Sequence, residues 1–149
     1  MADIKIIVDS GSDIPQDIAD KYNIGVISFL SIFGTEQYVQ RTEITNEQFF
    51  DKLEEYDGIP TTSQTPFGDM LDYFKQQCEE HESVIYFALS SAASGQYQTA
   101  NLVKSEIEEE NPNADFHIVD TQKFSLYIAQ TAVHAAQMAK AVSYTHLTL

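Results

Sequence analysis

The chain has 149 residues, 43% of them hydrophobic and 11% aromatic, a globular composition with enough length for one domain and its core. The 8 Lys+Arg against 23 Asp+Glu give a formal net charge of −15, a field that repels phosphate backbones and anionic lipid surfaces and argues against nucleic-acid partners. With a single cysteine, no basic and apolar opening and no apolar run of about 18 residues, the expectation is a cytoplasmic protein without stable membrane insertion.

In chain order, IKIIV (4–8) is a short β-branched run that predicts a buried strand entering a loop at Asp9-Ser10-Gly11-Ser12. Pro15 opens a helix with Ile14, Ile18 and Tyr22 on one face. IGVISFL (24–30) predicts a second strand, Gly34 a turn, and Tyr38 a short extended piece. Thr45-Asn46-Glu47-Gln48 has the form of a capping box, and the helix behind it is expected to bury Phe49, Phe50, Leu53 and Tyr56. PTTSQTP (60–66), fenced by prolines and without charge, reads as a polar turn. The next helix carries Phe67, Met70, Leu71, Phe74 and Cys78 at helical spacing, with Cys78 read as a small core side chain.

VIYFAL (84–89) is apolar without alternation, as a central parallel strand covered on both faces must be. It ends at Ser90-Ser91, and Ser94 is expected to cap a helix with Ala100, Val103 and Ile107 inward and a solvated acidic end at 106–110. FHIV (116–119) is a fourth strand ending at Asp120, followed by a last helix over about 124–141. Strands alternating with helices predict an α/β fold: a parallel-stranded sheet with helices on both faces.

Ligands of such sheets bind outside the carboxyl ends of the strands. Three strand ends carry polar side chains: Asp9 with Ser10 and Ser12, Ser90 with Ser91 and Ser94, and Asp120 with Thr121. PTTSQTP can reach the same edge. The expectation is a hydroxyl-rich pocket ringed by helix N-termini, suited to a carboxylate because no Lys or Arg accompanies the motifs. For each hydroxyl, capping a helix or satisfying a turn is the competing explanation. No Gly-x-Ser-x-Gly elbow surrounds Ser94, no histidine has metal-ligand spacing, and neither glycine-rich nucleotide loop is present; no metal and no cofactor are expected.

Five stretches in order, IVDSGSDIP (7–15), EITNEQFFDKL (43–53), PTTSQTPFGDM (60–70), SSAASGQYQTA (90–100) and IVDTQKFS (118–125), resemble the DegV family of bacterial fatty-acid-binding proteins. The resemblance covers residues 4 to about 140. It implies a carrier, not an enzyme, that holds one long-chain fatty acid between two domains and presents its carboxylate to a separate fatty-acid kinase. It places the carboxylate on Thr62 and Ser63, with Gln64 beside them, and on Ser94 and Gly95; Asp9, Ser10, Ser90 and Ser91 are lesser candidates.

Members of the family are about twice this length, so the chain is expected to be an N-terminal domain, 1–140, lacking the second domain with its Arg and His head-group contacts. Residues 141–149 break the helical pattern and resemble a translated read-through artefact. Departures from the family pattern fall at Gln40-Arg41, at Ala93-Ser94-Gly95-Gln96, and at Tyr127 and Ala129. Two other functions remain open: a hydrolase using Ser94 or Ser63 as nucleophile, and an α/β module for a small anion.

Overall fold

The computed structural model describes the backbone of residues 3–147 and the side chains of residues 3–142. Four parallel strands, β1 (Ile4–Asp9), β2 (Gly25–Ile27), β6 (Ser83–Ala88) and β7 (Phe116–Asp120), form a sheet in the order β2-β1-β6-β7. Five helices accompany it: α1 (Gln16–Lys21), α2 (Asn46–Glu55), α3 (Phe67–Glu80), α4 (Gln96–Glu110) and α5 (Leu126–Leu147). The α/β architecture with helices on both faces is as the sequence pattern requires.

The strand pleat sorts the core into two halves, because successive side chains point to opposite faces. Ile7, Val84, Tyr86, Ala88 and Phe116 pack under α3 and α4, against Met70, Phe74, Ala100, Val103 and Ile107. Ile6 and Val8 face the other way, against Ile14 and Ala19 beside α1 and against Ile128, Ala129 and Ala132 of α5. Phe74 holds the first half together, its ring 5.2 Å from that of Tyr86 and 4.7 Å from that of Phe116. Chain connections leave β1 toward β2 on one side while β6 lies on the other, so the sheet has its switch point at the carboxyl ends of β1 and β6.

A second, smaller sheet was not foreseen. The run read as one strand over 24–30 is divided: β2 ends at Ile27 and a new strand, β3 (Leu30–Phe33), begins at Leu30. It pairs antiparallel with β4 (Glu36–Val39) and with β5 (Thr61–Ser63), in the order β4-β3-β5. The division is enforced from outside the run. The Phe29 N–H donates to Ser10 Oγ at 2.9 Å, and the Ser28 carbonyl accepts from Thr65 Oγ1 at 2.8 Å, so both backbone groups leave the parallel ladder.

Three helix expectations need amendment. The capping box of α2 is present, with Gln48 N–H donating to Thr45 Oγ1 at 3.2 Å and Thr45 N–H to Gln48 Oε1 at 2.9 Å. However, α2 buries no residue fully: Phe49, Leu53 and Tyr56 are half-buried and Phe50 is exposed, because α2 flanks the small sheet instead of the main core. Gly95, and not Ser94, occupies the cap position of α4, although Ser94 Oγ does accept from the Gln96 N–H at 3.2 Å. The backbone of α5 continues helically from Leu126 to Leu147, past the break expected at Ala141; Thr148 and Leu149 lie outside the described residues. Among the described residues no helix is long and apolar enough to cross a membrane.

Candidate carboxylate-binding site

Far from forming a turn, Thr61, Thr62 and Ser63 of the PTTSQTP stretch are strand β5, at the edge of the small sheet and paired with Ile32, Ser31 and Leu30. An edge strand leaves polar side chains open to solvent, so this uncharged polar run is accommodated there. The edge faces the loop between β6 and α4. The result is a cleft of about 670 Å³ lined by Thr62, Ser63, Gln64, Ser94 and Gly95, with Gly11, Phe29, Leu89 and Phe124 as its apolar surfaces. Both hydroxyl motifs singled out in the sequence therefore meet at the carboxyl edge of the main sheet.

Each side chain's commitments decide what it can offer a ligand. Thr62 makes no side-chain hydrogen bond among the described residues, and Ser63 Oγ donates only to its neighbour Gln64 O, at 3.3 Å. Ser94 Oγ accepts from the Gln96 N–H, which leaves its own proton without an acceptor among the described residues. Gln64 is committed: Nε2 donates to Thr99 Oγ1 at 2.9 Å. A Cβ at Gly95 would stand 2.5 Å from Gln64 Oε1, so any larger residue must displace the end of that side chain, while the backbone angles themselves suit any residue.

The lesser candidates are occupied structurally. Ser10 accepts from Phe29 N–H and donates to Gln40 Oε1 at 2.7 Å; Gln40 Nε2 in turn donates to Ser31 Oγ at 3.0 Å. Ser91 donates its N–H at 3.1 Å and its hydroxyl at 2.5 Å to Asp120, and this holds the Asp120 carboxyl below its ordinary range. Ser90 Oγ accepts from the Ala92 N–H at 3.4 Å. Ser10 borders the cleft, whereas Asp9, Ser90 and Ser91 do not line it.

Asp9 lies beneath the cleft floor and has no solvent exposure. Its Oδ2 accepts from Tyr86 Oη at 2.9 Å and from Leu89 N–H at 2.7 Å, while Oδ1 has no hydrogen-bond partner among the described residues. Burial pushes the carboxyl up to about 6, against the opposing pull of the Leu89 and Tyr86 bonds and the weaker pull of the Gly11 backbone N–H.

Two contributors escaped the sequence reading. Gln96, noted there only as a departure from the family pattern, is fully buried and bonds Thr65 twice. Ser125 donates to Asp13 Oδ2 at 2.5 Å and its N–H to Gly11 O at 3.0 Å, which fixes Phe124 at the cleft. Positive φ at Asp13 (52°) and Ser125 (56°) is the only local sign of these turns, and a sequence does not display it. Among the described residues the cleft walls carry no Lys, Arg or His, and Asp13 is their one charged residue. Among the described residues no cluster of three or more His, Cys, Asp or Glu could hold a metal ion.

Comparison with known proteins bears on the fold and the family. The family model described as an uncharacterised protein of the DegV family matches residues 3–143. A DegV domain-containing protein of Clostridium perfringens is 33% identical over 138 residues, covering 93% of this chain and 48% of the relative. Protein DegV of Bacillus subtilis is 26% identical over 137 residues, covering 92% and 47%. The chain thus spans about half the length of the curated relatives it matches.

The crystal structure of the Bacillus subtilis DegV, described as a fatty acid binding protein, matches with a TM-score of 0.86 over 95% of this chain and 49% of that one, at 26% identity. A Thermotoga maritima protein, described as revealing fatty acid binding function, matches at 0.82 over 95% and 50%, at 28% identity. A stearic acid-binding protein from Eubacterium ventriosum, at 22% identity and covering 95% and 48%, shares the fold with a TM-score of 0.86. By fold, by its ordered motifs and by the family match, this chain belongs to the DegV family.

Proposed function

We propose that the chain is the carboxylate-holding part of a fatty-acid carrier. One observation supports this most: a single cleft gathers Thr62, Ser63, Ser94 and Gly95 from two separate elements, with the Thr62 and Ser94 hydroxyl protons uncommitted and no cation in its walls among the described residues. Neutral donors bind a carboxylate without neutralising it, which suits a head group that must react elsewhere. Related proteins of 26% and 28% identity are described as binding fatty acids. A tail contributes roughly 0.8 kcal/mol per buried CH₂, so the acyl chain supplies most of the affinity and the hydroxyls orient the head.

In this reading the chain binds, in the cytoplasm, and a separate kinase phosphorylates the presented carboxylate. The remaining half found in the longer relatives closes over the tail. A serine nucleophile is disfavoured because no histidine among the described residues lines the cleft; His81 and His117 bond Asp3 and Asp115, His134 is exposed on α5, and the His146 side chain lies outside the described residues. Titration with acetate, laurate and palmitate tests the reading. Affinity rising steeply with chain length supports it; equal affinities would favour a small-anion module, and labelling of Ser63 or Ser94 by a fluorophosphonate would favour the hydrolase.

A further inference from the structure

The two arms of the proposed carboxylate site belong to elements that share no ladder. Thr62 and Ser63 sit on β5 of the small sheet, whereas Ser94 and Gly95 precede α4 of the main layer. Their spacing therefore depends on what joins β5 to α4. The direct ties run through Gln96 and Gln64. The Gln96 side chain is fully buried; its Oε1 accepts from Thr65 N–H at 3.0 Å and its Nε2 donates to Thr65 Oγ1 at 3.0 Å. The Thr65 hydroxyl passes the tie on to Ser28 O at 2.8 Å. At the other end, the Gln96 N–H donates to Ser94 Oγ at 3.2 Å. One residue thus grips the end of the first hydroxyl motif with its amide and the second with its backbone.

We propose that Gln96 is a positioning residue that sets the separation of the two hydroxyl arms, and that it thereby controls head-group discrimination without touching the ligand. The inference rests on the carboxylate reading above. Gln96 does not line the cleft, so any effect on ligand choice must pass through Thr65 and Ser94. The primary amide accepts from the Thr65 N–H through one atom and donates to the Thr65 hydroxyl through another; an apolar side chain of the same length loses both bonds, and a carboxylate has no proton for the second. The bond from Gln64 Nε2 to Thr99 Oγ1 ties β5 to the next turn of α4, but it is half-buried and grips β5 at one point only.

The test compares binding of palmitate with binding of hexadecanol, which keeps the chain length and removes the charged head. Wild type should prefer palmitate. Gln96→Met, similar in length and without polar ends, should lower that preference about tenfold while hexadecanol binding stays nearly constant. A residue that merely stabilised the fold would weaken both ligands alike. Thr65→Val should reproduce the loss and Thr65→Ser, which keeps Oγ, should restore the preference; this pair carries the test if Gln96→Met does not fold.

A wild-type preference that Ser94→Ala abolishes but Gln96→Met and Thr65→Val leave intact would overturn the inference and spare the carboxylate reading. No preference for palmitate in wild type would overturn the reading itself, and the inference with it.

Discussion

Removing the charge of Asp9 should change the pH dependence of stability in a way that no other acid in the chain can imitate. The carboxyl is fully buried at the end of β1, with one oxygen held by Tyr86 and Leu89 and the other unpartnered among the described residues. Burial raises it in the folded state to about 6 from an ordinary 3.8. Between these values the folded state binds the proton more tightly than the unfolded state, so this group makes stability fall as pH rises. At roughly 1.4 kcal/mol per unit, the loss is about 3 kcal/mol, complete above pH 6 and absent below about pH 4. Asp9→Asn keeps the shape and an acceptor for both donors but has no charge to bury. Urea denaturation of wild type and Asp9→Asn at intervals from pH 4 to 8 isolates the effect, because the other 22 acids cancel in the difference (23 less Asp9). The variant should gain about 3 kcal/mol relative to wild type across that range. A flat difference between pH 4 and 7, or a wild type that gains on the variant as pH rises, would refute the argument that desolvation governs Asp9.

Gly95→Ala should weaken palmitate binding and cost about 1 kcal/mol in denaturant, since the new Cβ must push Gln64 Oε1 away and strain its bond to Thr99; combining it with Gln64→Ala should remove most of the stability penalty. Thr45→Ala should cost about 1 kcal/mol by deleting the α2 cap, measured in the same denaturation assay. The exposed Phe124, Leu126 and Tyr127 at the start of α5, 53%, 59% and 70% accessible, should drive self-association of the isolated chain. Light scattering should then show species larger than a monomer, reduced by Phe124→Ser with Tyr127→Ser; a monodisperse monomer contradicts this.

Elements whose partners are adjacent in pattern were legible in the sequence. The apolar runs ending at Asp9, at Leu89 and near Asp120 became the parallel strands, and Thr45 with Gln48 formed its box, because periodicity and capping are local properties. The break at Ser28–Phe29 was not legible: its causes, Ser10 and Thr65, lie 19 and 37 residues away. The same limit explains β5. Thr61–Ser63 has no apolar alternation to announce a strand, and only pairing with β3 makes it one. At the site, Thr62, Ser63, Ser94 and Gly95 were singled out by the resemblance to the family, and the structure brings them into one cleft. That Ser10, Ser90 and Ser91 spend their hydrogen bonds on Phe29, Ala92 and Asp120 was not legible, and neither was the part played by Gln96.

The central claim is that neutral hydroxyls from two elements hold a carboxylate. Titration of palmitate into wild type, Thr62→Val, Ser63→Ala and Ser94→Ala tests it most directly. The account predicts that Ser94→Ala and at least one β5 variant weaken binding about tenfold or more each, the loss of a hydrogen bond to a charged acceptor. Equal palmitate affinity in all four proteins would contradict it.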